Sequence, residues 1–183
     1  MRKLVFVVLV LVAAAIPAAA QPVYCFGSPY YCQYLTDTTF GMNPSQWSFN
    51  GGSARASVTD PCAWGTPPPT VDAAALAPGG GVWQWVSTES EPYWAVDLQV
   101  FFSDANGSSN DKVYVEVTNA TLFNQTEVHT ISALDYGNCA DVHISLDNPY
   151  DDASVRIKVW RDYSSTMSSI AVDDINFWGG PSN

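Results

Sequence analysis

An antiparallel β-sandwich is the fold class this sequence predicts, and three observations predict it. From Val82 onward, run after run alternates apolar residues with polar or aromatic ones at a period of two. Turn dipeptides such as Asn106-Gly107, Gly137-Asn138 and Asn148-Pro149 separate the runs. No segment holds a convincing helical period, so the sum is an all-β chain of roughly eight to ten strands in two layers.

The elements follow in order. Arg2 and Lys3, the apolar stretch Leu4 to Ile16 and Ala18-Ala19-Ala20 before Gln21 read as a secretory signal peptide over residues 1–20. The apolar stretch is short for a membrane span and no second one follows, so we expect a secreted, extracellular or periplasmic chain without membrane insertion. About 160 residues then remain, enough for one domain. We place an irregular lead-in at 21–35, the sandwich at 36–179 and a tail at 180–183. Without Arg2 and Lys3 the formal charge falls from −11 to −13. Nucleic acid and anionic lipid are poor partners for such a chain, because neutralising phosphates takes clustered Lys and Arg. The balance suits solubility, cation binding or a neutral ligand.

Export makes disulfides plausible for Cys25, Cys32, Cys62 and Cys139, whose connectivity the sequence leaves open. The favoured pairing joins Cys25 to Cys32 across a small loop and Cys62 to Cys139 across a long one, the latter worth roughly 4 kcal/mol. A zinc site is the weaker reading, since no paired Cys-x-x-Cys knuckles occur.

Short β-prone pieces at Thr36 to Phe40, Trp47 to Phe49 and Ser53 to Thr59 are interrupted by Asn43-Pro44 and Asn50-Gly51-Gly52. A long loop follows through Pro67-Pro68-Pro69, carrying Trp64 as a rim contact or a loop plug. Val82 to Thr88 sets Trp83 and Trp85 against Val82, Gln84 and Val86, and either side of that strand can be the inner one. Tyr93 to Phe102 is plainer: Trp94, Val96, Leu98, Val100 and Phe102 form the core side, opposite Tyr93, Asp97, Gln99 and Phe101. Val113, Val115 and Val117, then Val142, Ile144 and Leu146, then Val155, Ile157 and Val159 repeat the pattern. In the last run, Ile170 and Val172 alternate, Asp173-Asp174 intervenes, and Ile175 and Phe177 resume one position out of phase. That is the signature of a bulged, buried strand.

Three segments resemble a known family. Thr38-Thr39-Phe40 followed by Trp47, then Val82-Trp83-Gln84-Trp85-Val86 with Tyr93 to Phe102, and finally Ile170-Ala171-Val172-Asp173-Asp174-Ile175 are similar, in order, to carbohydrate-binding modules with the galactose-binding-like jelly roll. The last segment also resembles adhesion-type MAM domains. The resemblance implies a jelly-roll sandwich and a structural calcium ion held by carboxylate and backbone oxygens. Members carry an acidic residue or Asn around the first Phe. Here Thr39 and Gly41 flank Phe40, so Asp37 is the stand-in ligand beside Asp173 and Asp174. The competing reading is a plain bulge whose carboxylates cap backbone amides.

Flat rings on a rigid sheet can stack against the apolar face of a pyranose while neighbouring polar groups bond its hydroxyls. Trp83, Trp85, Tyr93, Tyr114 and Trp160 are the candidate rings, and Gln99, Asp97, Lys112, Glu116 and Arg156 the candidate polar groups. No nucleophile elbow, zinc-binding helix or phosphate loop occurs, and His129 and His143 show no metal-ligand spacing. The expected function is non-catalytic binding of a polysaccharide or other glycan. The alternative is a structural or adhesive subunit, whose residues 21–35 pair with copies of itself or with other extracellular proteins. Asn106, Asn119 and Asn124 stand in glycosylation sequons.

Overall fold

A computed structural model describes residues 24–26, 31–41, 46–88, 93–119, 126–146 and 154–180. The signal peptide expected at 1–20, the last three residues of the expected tail and Asn124 lie outside them. In chain order the strands are β1 (Tyr24–Phe26), β2 (Tyr31–Gln33), β3 (Ser48–Asn50), β4 (Ala54–Thr59), β5 (Thr70–Ala75), β6 (Gly81–Ser87), β7 (Tyr93–Phe102), β8 (Lys112–Asn119), β9 (Thr126–Ser132), β10 (Cys139–Leu146), β11 (Ser154–Arg161) and β12 (Ile170–Gly180). A short helix, α1 (Ala133–Tyr136), sits between β9 and β10 with Ser132 as its N-cap.

These strands make two antiparallel sheets. The second runs β3-β6-β11-β8-β9. The first is built on β12, which pairs with β7, and β7 in turn with β10. On its other edge β12 takes two partners: β5 meets Ala171 and Val172, and β2 meets Trp178 and Gly179. Behind them lie β4 and β1. The core between the sheets holds the residues expected from alternation, among them Trp94, Val96, Leu98, Val100 and Phe102 from β7 and Val155, Ile157 and Val159 from β11. Burying each such side chain stabilises by roughly 1.5 to 3 kcal/mol, so a slip of register by one is excluded.

Three segments depart from expectation. The lead-in is not irregular: β1 and β2 form a hairpin in which Cys25 faces Cys32 and the two are disulfide-bonded. Strands of three residues are too short to display a period. Residues 70–75, to which the sequence pattern assigned no element, are strand β5, whose Ala-rich sequence hides the alternation. Ala73 packs on the outer side of the sheet with Phe101 and Ala171, beside Val58, Cys62 and Val71 of the β4–β5 unit. Thr36 to Phe40, expected as a β-prone piece, is a turn. The Cys62–Cys139 disulfide ties the β4–β5 loop to β10 across 77 residues. Of the sequon asparagines, Asn106 is exposed and Asn119 is buried at the end of β8.

The phase slip in the last strand is a β-bulge. Asp173 pairs with Gln99 and Asn176 with Asp97, so three steps on β12 oppose two on β7. Asp174 takes up the extra residue at φ 48°. Ile175 thereby turns inward, and its N–H donates to the Thr38 carbonyl at 2.9 Å. Gln33 ties β2 to the same stretch: its Oε1 accepts from Tyr34 N, Leu35 N and Phe177 N at 2.9 to 3.1 Å, and its Nε2 donates to Asn176 Oδ1 at 2.5 Å.

The three carboxylates expected to share calcium have different surroundings. Asp37 is buried; its Oδ2 accepts from Gln46 N at 3.2 Å and its carbonyl from Trp47 Nε1 at 2.7 Å. Asp174 is exposed and accepts from the Asn176 amide. Asp173 is buried, and its Oδ1 has no partner among the described residues. Among those residues no group of three or more His, Cys, Asp or Glu side chains is gathered together. Burial pushes the Asp173 carboxyl up to about 6, and the nearby Asp174, Asp60 and Asp72 add to the rise.

The folded state therefore prefers Asp173 neutral. Relative to an unfolded carboxyl near 3.8, the residue costs nothing below about pH 4 and its full penalty above about pH 6. Asp173→Asn is expected to stabilise the protein by roughly 1 to 3 kcal/mol at neutral pH, the gain fading toward pH 4 in thermal melts. A loss of stability on substitution, or a wild-type melting temperature lowered by a calcium chelator, would mean that a cation holds this carboxylate. Replacing Cys62 and Cys139 together by Ala is expected to cost roughly 2 to 4 kcal/mol in urea unfolding.

Candidate functional site

The outer face of the second sheet is where rings gather. On β6, Val82 and Val86 are buried against Val159 and Val155 of β11, which forces Trp83 and Trp85 outward. On β11, burial of Val155, Ile157 and Val159 likewise turns out Arg156, Lys158 and Trp160. On β8, burial of Val113, Val115 and Val117 turns out Lys112, Tyr114 and Glu116. The register sets these in rows across the sheet. One row is Trp85, Arg156, Thr118 and Thr126; the next is Ser48, Trp83, Lys158, Glu116 and Val128; the third is Gly81, Trp160, Tyr114 and Thr130.

Trp85 is 44% exposed, while Trp83, Tyr114 and Trp160 are half-buried among their neighbours. Tyr114 and Trp160 stack with ring centroids 4.3 Å apart. Lys158 Nζ lies 5.2 Å from the Trp160 ring centre and the Arg156 guanidinium 5.8 Å from that of Trp85. Glu116 joins the two cations, at 2.5 Å to Arg156 Nη2 and 3.8 Å to Lys158 Nζ. Gly81 is required beside Trp160: a Cβ there would sit 2.6 Å from that of Trp160 and 2.4 Å from the Val159 carbonyl.

Tyr114 donates its hydroxyl to Asp162 Oδ2 at 2.8 Å, and that bond raises its pKa. Hydrogen bonds from the Ser164 hydroxyl and N–H hold the Asp162 carboxyl below the usual range. Asp162 was no sequence candidate, because only the turn after β11 brings it to Tyr114. Lys158 belongs with Arg156 by its i, i+2 spacing on one strand, and that spacing was the available signal.

Of the expected binding residues, Trp83, Trp85, Tyr114 and Trp160 share this face. Tyr93 and Gln99 do not: they lie on the outer face of the first sheet, because β7 pairs with β10 and β12 and not with β6. Alternation tells which side of its own sheet a residue takes, and nothing about which sheet its strand joins. The Tyr93 hydroxyl is 3.0 Å from His143 Nε2 and 3.2 Å from Ser145 Oγ, and His143 Nδ1 is 2.5 Å from Asp97 Oδ1. Trp64 is fully exposed on the β4–β5 loop, so it is no plug, and it belongs to the first sheet as well.

No protein-family model matches the chain, and no curated protein does. Solved structures match by shape. The module TmCBM61 in complex with β-1,4-galactotriose aligns over 79% of this chain and 97% of its own at 13% identity and a TM-score of 0.54. An apo-form cyclase from Fischerella sp. aligns over 86% and 100% at 10% identity and 0.54. The N-terminal CBM22-1–CBM22-2 tandem domain of Paenibacillus barcinonensis Xyn10C aligns over 82% of this chain and 46% of its own at 10% identity and 0.51. At such identities the likeness is one of fold, and by that measure the chain is a two-sheet jelly roll of the kind on which carbohydrate-binding modules are built.

Proposed function

We propose that the protein is a secreted, non-catalytic glycan-binding protein whose ligand lies across the outer face of the second sheet. The observation that carries this reading is the gathering of Trp83, Trp85, Tyr114 and Trp160, from three neighbouring strands, on one outward surface. Sugar rings bind by laying their apolar C–H faces on indole or phenol, and Arg156, Lys158 and Glu116 stand within the same rows to bond hydroxyls. Support for export comes from the leader-like first twenty residues and two disulfides.

Two observations support binding over catalysis. Glycoside hydrolysis needs a carboxylic acid held protonated, with its pKa raised. On this face Glu116 is paired with two cations, and Asp162 is pushed down by its Ser164 partners. On the other sheet, Ser145, His143 and Asp97 have the bonding order of a hydrolase triad. There the Tyr93 hydroxyl shares His143 Nε2, and the His143 and Asp97 side chains are 57% and 37% exposed, so water weakens the polarisation such a triad depends on.

On a glycan array the mature protein is expected to bind, and Trp160→Ala or Tyr114→Ala to weaken binding at least tenfold while keeping the far-ultraviolet spectrum of the wild type. Full retention by both variants would reject this site. The assembly reading has one feature in its favour: among the described residues β1 ends the strand order of the first sheet, an edge to which another copy can add. Size-exclusion chromatography of the mature chain separates the two readings, a monomer being expected here and a polymer that needs residues 21–35 in the other case.

A further inference from the structure

The five Lys and Arg residues beyond the leader are not spread evenly. Lys112, Arg156 and Lys158 project from the outer face of the second sheet, where, among the described residues, only Glu116 and, at the corner, Asp162 oppose them. The rest of the described residues hold two cations against eleven carboxylates. Of those two, Arg55 is bound to Asp72 at 2.7 Å, and Arg161 is buried and donates to the carbonyls of Leu76, Ser165 and Met167. Among the described residues of this chain of formal charge −11, positive charge thus exceeds negative on the surface that carries the rings.

We infer that the glycan bound on this face is anionic, a polymer of uronic-acid residues whose carboxylates are taken by Arg156 and Lys158. The inference rests on the binding reading above and names the ligand class for the same site. The two cations are next-but-one neighbours on β11, about 7 Å apart along the strand. Each lies against a ring, Arg156 by Trp85 and Lys158 by Trp160. A uronate presents an apolar ring face with a carboxylate at its edge, which is the complement of an indole with a cation beside it. Glu116 is the single carboxylate shared by both cations, so the trio keeps a positive charge. Glu116 is bonded by Arg156 through Nη2 alone, so it does not fill the guanidinium fork, which can grip a carboxylate with two N–H groups. The acidity of the whole molecule does not forbid this. At physiological salt the screening length is about 8 Å, so a sugar in contact responds to Arg156 and Lys158 more than to carboxylates on the far sheet.

The test is calorimetric titration of the mature, disulfide-bonded protein with polygalacturonate and alginate. Each is paired with its carboxyl-reduced neutral form, and dextran sulfate serves as a polyanion without uronate. At least one polyuronate is expected to bind about tenfold or more tighter than its reduced form and than dextran sulfate. The double variant Arg156→Gln, Lys158→Gln is expected to lose that preference while still melting cooperatively as a folded protein. Should the double variant fail to fold, the single variant Lys158→Gln is expected to lessen the preference. Equal affinity for a polymer and its reduced form, or equally tight binding of dextran sulfate, overturns the uronate assignment and leaves the aromatic platform standing. Binding of neither polyuronate, while a neutral array glycan binds in a Trp160-dependent way, overturns it too. Failure of every glycan removes both readings.

Discussion

The structure depends on one extra residue in β12. This strand is the spine of the first sheet, and its backbone must satisfy β7 on one side while serving two separate hairpins on the other. A straight strand would keep its outer edge in a single register. The bulge at Asp174 bends it and resets the side-chain phase, so that Ile170 and Val172 face the core before the kink and Ile175 and Phe177 after it. The partner changes at the same point, from the β4–β5 hairpin to the β1–β2 hairpin. Asp174 accepts a positive φ that costs on the order of 1 kcal/mol in an L-residue, offset by the burial of Ile175 and Phe177 and by the Ile175-to-Thr38 hydrogen bond. Phe177 then stacks on Trp94 with centroids 5.0 Å apart, and Gly179 passes so close to that indole that a Cβ would lie 2.6 Å from it.

The second sheet has the opposite character. Its register runs unbroken through β6, β11 and β8, so every inward valine or isoleucine commits its neighbour to the outside. Rings set on such a surface stand on paired strands and need little reordering when a ligand arrives, which is what a binding platform requires. The same regularity concentrates charge. Residues 156 and 158 of β11 project together because they are two apart, and Glu116 reaches both because β8 is the adjacent strand. Net charge read from composition points to cations or neutral ligands. The distribution of that charge over the two sheets points to an anionic one.

Much of this was legible in one dimension. The out-of-phase pair after Asp173-Asp174 announces the bulge, because a buried strand tolerates a break in alternation only where a residue is added. The core side of β7 and the outward turn of Arg156, Lys158 and Trp160 follow from period two alone. The Cys25–Cys32 and Cys62–Cys139 disulfides match the favoured pairing. The short or doubly covered elements were not legible. β1 and β2 are too brief to show a pattern, and β5 reads as neither strand nor loop because alanines line both its faces.

By itself, the sequence determined which side of each long strand is apolar and where the last strand must kink. These are local consequences of side-chain alternation and chain length. Only the tertiary structure decided that Trp83 and Trp85 point away from the core and that Tyr93 and Gln99 belong to a different surface from Tyr114 and Trp160. Sheet membership is set by long-range hydrogen bonding between strands far apart in the chain, and a period of two is the same whichever partner a strand finds.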